Sequence, residues 1–185
     1  MRDHQQVPQA AAAVLDRPER TEGSTAAPPS TYRLLLDLFD RGQVPYRLLD
    51  HPPEGQTARA SELRGHPLSA AAKCMVIAVR RPADRPCHVL AVVPGDRRVD
   101  LPSVARACGG RKAGFASRPD AERLGATESG TITPFSFHPE LAVLADPALF
   151  EETELFFNAA RLDRSVAIRA ADYRRLARPR VVPIT

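Results

Sequence analysis

Lys73 stands at the entry to an apolar run that extends from Cys74 to Val79. Of the 26 basic residues, 24 are arginines, and only Lys73 and Lys112 are lysines, so arginine is used almost wherever a cation is needed. An ammonium is a compact point charge with three donors, whereas a guanidinium is a planar fork, and a site built around a phosphate oxygen or a reacting carbonyl can distinguish them. Lys73 is therefore a candidate site residue. The ordinary alternative is a lysine that ends a strand and extends its ammonium to solvent.

A second candidate lies in residues 129–139, which have no helical or strand period and contain Gly130 and Pro134. Glycine allows a backbone geometry in which N–H groups turn toward a ligand, and proline stiffens the other end of the loop. Two serines and His138 are close together in this segment, but no acidic residue lies at a spacing that suggests a triad. We therefore expect backbone amides, and not a serine nucleophile, to contribute the chemistry.

The elements that must position these residues follow from caps, turn residues and periodicity. The predicted helices are residues 30–41, 57–64, 102–107, 119–124 and 171–178, with Gly42 ending the first, and shorter turns cover 69–72 and 147–150. The predicted strands are residues 46–49, 75–80, 88–93, 97–101, 112–116, 141–145, 155–158 and 165–169. Strands outnumber helices, and short turns often join them. This pattern favours an α+β fold, a curved mixed sheet or partial barrel with surrounding helices, over repeated βαβ units.

Composition limits the function classes. The 185 residues suit one domain, and the low-complexity residues 1–30 are predicted to be a disordered extension before a domain at 31–185. Three cysteines without a Cys-x-x-Cys pair and five dispersed histidines predict no disulfide framework, no metal and no cofactor, in a reducing cytoplasm. No apolar run approaches the roughly 18 residues of a membrane span, so no membrane partner is expected. Residues 161–185 carry seven arginines and two aspartates, a charge that suits RNA.

Several motifs together resemble the YbaK/prolyl-tRNA-synthetase-associated family. They are a turn at residues 92–101, the Gly-x-x-x-Pro loop at 130–134, and Phe-Asn-Ala-Ala-Arg-Leu-Asp at 157–163. Pro-Phe-Ser-Phe-His-Pro at 134–139 and Ala-Asp-Tyr-x-Arg-x-Ala at 171–177 are similar to the free-standing YeaK-like branch. The family's members hydrolyse amino acids wrongly attached to tRNA.

The resemblance implies roles for particular residues. Lys73 matches the family's essential lysine and, with Gly130, is the predicted catalytic pair. The predicted substrate-binding residues are Thr131, Ile132, Thr133, Pro134 and Asn158, and the candidate tRNA-binding residues are Arg161, Arg164, Arg174 and Arg175. The family commonly has Asn-Ala-Gly where this chain has Asn158-Ala159-Ala160, which places the amino-acid specificity in question.

The resemblance thus implies a metal-independent, trans-editing aminoacyl-tRNA deacylase for a small amino acid. The expected partners are the acceptor end of a mischarged tRNA and an aminoacyl-tRNA synthetase, with the protein a monomer or weak dimer. Two alternatives stay open. One is a non-catalytic module that binds aminoacyl-tRNA or an amino-acid-like ligand, and the other is an enzyme in which Lys73 forms a Schiff base with a small carbonyl compound.

Overall fold

A computed structural model describes residues 30–82 and 87–185 of the chain. The predicted extension at 1–30 lies, apart from Ser30, outside the described residues, as does most of the segment at 81–86, which precedes the strand predicted at 88–93. Within the described ranges, no helix has both the length and the apolar character to cross a bilayer.

Within residues 30–82 and 87–185, five α-helices form close to the predicted positions. They are α1 (Thr31–Gly42), α2 (Thr57–Arg64), α3 (Leu101–Ala107), α4 (Arg118–Gly125) and α5 (Ala170–Ala177). Ser30 begins α1 because its hydroxyl accepts the N–H of Arg33 at 3.3 Å. The predicted stop at Gly42 is wrong in detail, since Gln43 is the left-handed residue with a φ of 50°. Gly42 instead leaves room for Leu176 of α5, whose Cδ2 would lie 2.5 Å from an added Cβ.

The described part of the chain also contains eight strands, which form two sheets. They are β1 (Tyr46–Asp50), β2 (Ala72–Arg80), β3 (Cys87–Pro94), β4 (Lys112–Phe115), β5 (Leu141–Ala145), β6 (Glu154–Asn158), β7 (Arg164–Arg169) and β8 (Arg180–Val181). The smaller sheet has the order β1-β7-β6, and the larger has the order β4-β2-β3-β5-β8. In the larger sheet β2 and β3 are antiparallel, whereas β3 and β5 are parallel. The sheet is therefore mixed, and the predicted α+β class is confirmed.

Strand β2 is apolar on both faces, which explains the continuous apolar run after Lys73. Val76 packs into a core with α1, α5 and the smaller sheet, whereas Ile77 packs into a second core with α3. The two sheets meet at an isolated parallel bridge between Ala71 and Phe156. Lys73 thus lies at the end of a central strand, beside the junction of the sheets.

Two predicted details of the chain differ in the structure. The strand expected at residues 97–101 is absent, because Arg97 N–H turns back to the carbonyl of Pro94 and Asp100 caps α3 by accepting the N–H of Ser103 at 3.2 Å. Strand β8 was not predicted, since it has only two residues and is flanked by prolines. The turn that replaces the expected strand matters below, because its carbonyls face Lys73.

Candidate active site

A cavity of about 80 Å³ opens where the two sheets meet. One side of it is lined by β2, directly after Ala71, and by β6 from Phe156 onward, and the rest is lined by α2 and by the loops before α2 and after α4. One water needs roughly 10–15 Å³, so the cavity has room for a small side chain or a few waters. Its lining residues are Gly55, Thr57, Ala60, Arg64, Ala71, Ala72, Lys73, Cys74, Gly130, Ile132, Phe156, Phe157 and Asn158.

Lys73 lines the cavity and is held by the turn after β3. Its Nζ donates to the carbonyl oxygen of Gly95 at 3.0 Å and also to that of Arg97. Burial lowers the pKa of Lys73, the charge of Asp96 opposes that shift, and Arg98 adds to it. Two of the three ammonium donors are therefore fixed by backbone, and among the described residues no carboxylate makes a direct ion pair with Lys73.

Arg64 is a second cation in the cavity wall, and it was not among the site residues predicted from the sequence. Its Nε donates to the carbonyl of Ala60 at 2.9 Å, and its Nη1 donates to Ser165 Oγ at 3.1 Å. Burial lowers the pKa of Arg64 to about 10. In the described ranges no carboxylate pairs with this guanidinium. A half-buried cation without an acid partner favours an anionic ligand.

Asn158 joins the two loops that close the cavity. Its Nδ2 donates to the carbonyl of Glu54 at 2.9 Å and to that of Gly130 at 3.0 Å, so both amide protons are used. Its Oδ1 accepts from Ser165 Oγ at 3.1 Å. The side chain lines the cavity, yet its polar atoms are committed to the protein. Asn158 therefore shapes the site by holding its walls.

The loop at 130–134 presents backbone to the cavity. Gly130 has a φ of 93°, and an added Cβ would lie 3.2 Å from the Cα of Gly55. The N–H groups of Gly130 and Ile132 donate to no acceptor within the described part of the chain. Gly130 and Ile132 line the cavity, whereas the side chains of Thr131, Thr133 and Pro134 are buried and do not. Any contact of those three with substrate would involve the backbone.

The hydroxyls of the two buried threonines are used within the loop region. Thr131 Oγ1 donates to the carbonyl of Glu128 at 2.8 Å and contacts Thr127 Oγ1 at 2.5 Å. Thr133 Oγ1 donates to the carbonyl of Phe135 at 3.1 Å. These bonds hold the loop in shape and leave the N–H groups of Gly130 and Ile132 available.

The four arginines predicted to bind tRNA lie outside the cavity lining, and most already have partners. Arg161 pairs with Asp163 at 2.7 Å, and Arg164 pairs with Asp50 at 2.6 Å. Arg175 pairs with Asp172 at 3.3 Å. Arg174 differs, since its guanidinium lies over the ring of Phe150 at 5.2 Å from the centroid.

The cavity combines positive charge and amide donors with no acid or histidine among its lining residues. Ser129, Ser136 and His138 lie outside the lining as well. In the parts of the chain that the structure describes, no cluster of three His, Cys, Asp or Glu side chains could hold a metal ion. Such walls can bind an anion and stabilise a developing oxyanion, but they offer no side-chain base.

Residues 51–176 match the family of the aminoacyl-tRNA editing domain, and this match covers more than half of the chain. This chain belongs to the aminoacyl-tRNA editing domain family. The family resemblance predicted from the sequence motifs is thereby confirmed. The matched residues of this editing domain include both cations of the cavity, Lys73 and Arg64, and the loop from Gly130 to Pro134.

The editing domain is similar to two bacterial deacylases in sequence and to several solved structures in fold. The Multifunctional Ser/Thr-tRNA deacylase ProXp-y of Escherichia coli (strain K12) is 39% identical over 153 residues, which cover 82% of this chain and 91% of the relative. The protein of that name from Escherichia coli O157:H7 matches equally well. Crystal structures of a hypothetical protein (TM-score 0.73, 17% identity, 81% of this chain and 97% of that one) and of a candidate trans-editing enzyme for prolyl tRNA synthetase (TM-score 0.71, 15% identity, 86% and 99%) share the fold.

The editing domain departs from its family pattern at Ala160, which stands where a glycine is common. Ala160 has a φ of 57°, in the left-handed region that favours glycine. The backbone conformation is therefore the one a glycine would permit, and alanine takes it at a cost in strain. Ala160 does not line the cavity, so its methyl group leaves the shape of the walls unchanged.

Proposed function

We propose that this trans-editing aminoacyl-tRNA deacylase acts on tRNA wrongly charged with a small hydroxylated amino acid, serine or threonine. The observation that carries the proposal is the cavity that places Lys73 and Arg64 beside the unpaired N–H groups of Gly130 and Ile132. The activity in the name of the Escherichia coli relative supports the same substrates.

The reaction is the attack of water on the ester that joins the amino acid to the terminal ribose. The ester is already activated, so the main demands are to place the water and to stabilise the oxyanion. We assign the oxyanion to the N–H groups of Gly130 and Ile132, and one such donor contributes roughly 3–4 kcal/mol to lowering the barrier. No side-chain base lines the cavity, so a hydroxyl of the substrate's terminal ribose orients the water. The products are the free amino acid and the tRNA.

Lys73 supplies a fixed positive charge for the terminal phosphate or the acyl group. The carbonyls of Gly95 and Arg97 hold its ammonium in place and leave one donor for the substrate. A guanidinium cannot reproduce this arrangement, because its planar fork would have to fit between the same two carbonyls. Lys73 positions charge and does not attack the carbonyl.

The size and polarity of the cavity support a small hydroxylated side chain. Its volume of about 80 Å³ suits a serine or threonine side chain better than a large one. Thr57 lines the cavity, and its hydroxyl makes no hydrogen bond among the described residues. A wall that can hydrogen-bond a substrate hydroxyl discriminates against the analogue that lacks it.

The remaining parts of the proposal concern partners. The acceptor end of the tRNA enters the cavity, and Arg161, Arg164, Arg174 and Arg175 contact its phosphates. We also expect the protein to be a monomer or weak dimer and to associate with an aminoacyl-tRNA synthetase. Sedimentation with and without synthetase would test both expectations.

The deciding experiment compares wild type, Lys73→Ala and Lys112→Ala on tRNAs mischarged with Ala, Ser, Thr and Cys. Lys112 is the matched control, because it is the other lysine of the chain and is exposed on β4. We expect wild type and Lys112→Ala to release Ser and Thr, and Lys73→Ala to release neither. Full activity of Lys73→Ala would refute the role of Lys73, and binding of charged tRNA without ester loss would favour a non-catalytic module.

A further inference from the structure

We propose that Ser165 and His51 are positioning residues for deacylation, which act through the side-chain amide of Asn158. The proposal rests on the proposed function, because it concerns the geometry of the same cavity. Neither Ser165 nor His51 lines that cavity. Both instead form a line of hydrogen bonds that ends on the carbonyl of Gly130.

The line crosses the end of the smaller sheet. Ser165 on β7 is the cross-strand partner of Asn158 on β6 and of Leu49 on β1, and His51 follows directly after β1. His51 Nε2 lies 2.7 Å from Ser165 Oγ, and Ser165 Oγ lies 3.1 Å from Asn158 Oδ1. Ser165 is fully buried, so no water competes with these bonds. The register of β6 and β7 thus places the Ser165 hydroxyl beside Asn158 Oδ1.

The bonds on both sides of Asn158 fix which way its amide points. Nδ2 donates to the carbonyls of Glu54 and Gly130, and Oδ1 faces the donors Ser165 and Arg64. A flipped amide would set its oxygen against two carbonyl oxygens and its NH₂ against the Arg64 guanidinium. The donors around Oδ1 therefore select the orientation that ties the two loops together.

His51 holds the serine from the other side. Its Nδ1 lies 2.8 Å from the carbonyl of Pro52, and a carbonyl only accepts, so Nδ1 carries a proton. The ring is thereby fixed with Nε2 aimed at Ser165 Oγ. Because the single hydroxyl proton of Ser165 goes to Asn158 Oδ1, Nε2–H is the donor and Ser165 Oγ the acceptor in this bond. Ser165 Oγ also accepts from Arg64 Nη1 at 3.1 Å. The serine hydroxyl is held by three side chains, and its place beside Asn158 is set.

The orientation of the Asn158 amide affects the reaction because this amide holds Gly130. The amide of Asn158 connects the loop at 51–56 to the loop at 130–134, which carries the N–H groups assigned to the oxyanion. A shift of a fraction of an ångström in such donors lowers a rate without preventing substrate binding. Loss of Ser165 or His51 should therefore lower kcat and leave KM nearly unchanged.

The variants should still fold, because backbone bonds also hold the loop at 51–56. His51 N–H donates to the carbonyl of Asp163 at 3.1 Å, and Glu54 N–H donates to that of Leu162 at 2.9 Å. A matched control is Ser61→Ala, since Ser61 is also buried and its hydroxyl donates to the carbonyl of Thr57 at 2.9 Å, outside this line of bonds.

The test measures kcat and KM for deacylation of Ser-tRNA by wild type, Ser165→Ala, His51→Leu, His51→Gln and Ser61→Ala. We expect Ser165→Ala and His51→Leu to lower kcat about fivefold to tenfold with KM within about twofold. His51→Gln keeps a polar group near the position of Nε2 and should recover most of kcat, and Ser61→Ala should match wild type. Wild-type kcat in Ser165→Ala would overturn the proposal.

A double-mutant cycle and hydrogen exchange separate positioning from simple loss of structure. If Ser165 acts through Asn158, adding Ser165→Ala to Asn158→Ala lowers kcat no further. Amide exchange at Thr131, whose N–H donates to the carbonyl of Glu128 at 3.1 Å, should be about tenfold faster in Ser165→Ala than in wild type, and equal rates would refute the proposal. Exchange needs no catalysis, so an inactive wild type would refute the proposed function while this measurement still decides the positioning role.

Discussion

Replacing Gly130 by alanine would add one methyl group at the closest approach of the two loops that wall the cavity. Gly130 has a φ of 93°, which an alanine adopts only with strain of about 1–3 kcal/mol. The new Cβ would lie 3.2 Å from the Cα and 3.5 Å from the carbonyl oxygen of Gly55. Backbone is on the other side of this contact, so no side-chain rotation can relieve it.

The neighbouring loop can yield only by loosening the bonds from Asn158 Nδ2 to Glu54 and Gly130, which are 2.9 and 3.0 Å long. Weakening one such bond costs about 1 kcal/mol. Together with the strain, Gly130→Ala should lower the free energy of unfolding by about 2–4 kcal/mol. It should also lower kcat/KM for deacylation at least about tenfold, because the N–H groups of residues 130–132 move.

Gly109→Ala is the matched control. Gly109 also has a positive φ, 65°, but an added Cβ would meet nothing within 4 Å, so only the backbone strain of about 1–2 kcal/mol remains. Urea unfolding gives both free energies, with an unchanged m-value as the check on two-state behaviour. Equal destabilisation by the two substitutions would show that the contact with Gly55 is unimportant. Wild-type kcat/KM in Gly130→Ala would refute the oxyanion assignment.

Four further predictions test other parts of the molecule. Tyr173→Phe should raise the free energy of unfolding by about 1 kcal/mol, because the buried hydroxyl of Tyr173 has no hydrogen-bond partner among the described residues; a lower free energy of unfolding would show that the hydroxyl is bonded. Asp146→Ala should lower it by about 3 kcal/mol, since this buried carboxylate accepts from three donors, including the N–H of Ile184; a loss below about 1 kcal/mol would contradict that role. Ala160→Gly should leave the ratio of Ser-tRNA to Ala-tRNA deacylation unchanged, and a changed ratio would mean that the methyl group shapes the substrate site. Arg174→Ala should make the slope of log tRNA affinity against log salt concentration shallower by about one, and Arg161→Ala should change that slope less, because Arg161 is paired with Asp163. Equal slopes for the two variants would show that the ion pair makes no difference to tRNA binding.

The sequence predicted the elements well where the signals are local. The α2 boundaries at residues 57–64 and the β5 boundaries at 141–145 were correct, because Gly65 ends the helix and an apolar run bounded by turn residues marks the strand. The strand predicted at 97–101 does not form, because Asp100 caps α3 and this local signal outweighs the alternation of apolar and polar residues around it.

The candidate site was predicted only in part, because long-range contacts decide the rest. Lys73 and Gly130 stand out by composition and by loop pattern, and both line the cavity. Arg64 looks like any arginine at the end of a surface helix, and its place in the wall depends on Ser165, 101 residues away. Arg164 looked free to bind RNA, yet its partner Asp50 lies 114 residues away. No local pattern encodes such pairings.

The division of the cavity between strands and loops has a consequence for redesign. Strands β2 and β6 line one side of the cavity at positions set by sheet register, whereas α2 and the two loops that the Asn158 amide connects line the rest. Substitutions at Thr57 or Ile132 can therefore be screened as a small library for new amino-acid preferences while Lys73 and its carbonyl cradle stay untouched. Such an arrangement allows the amino-acid preference to change, in the laboratory as in evolution, without a change in the residues that hydrolyse the ester.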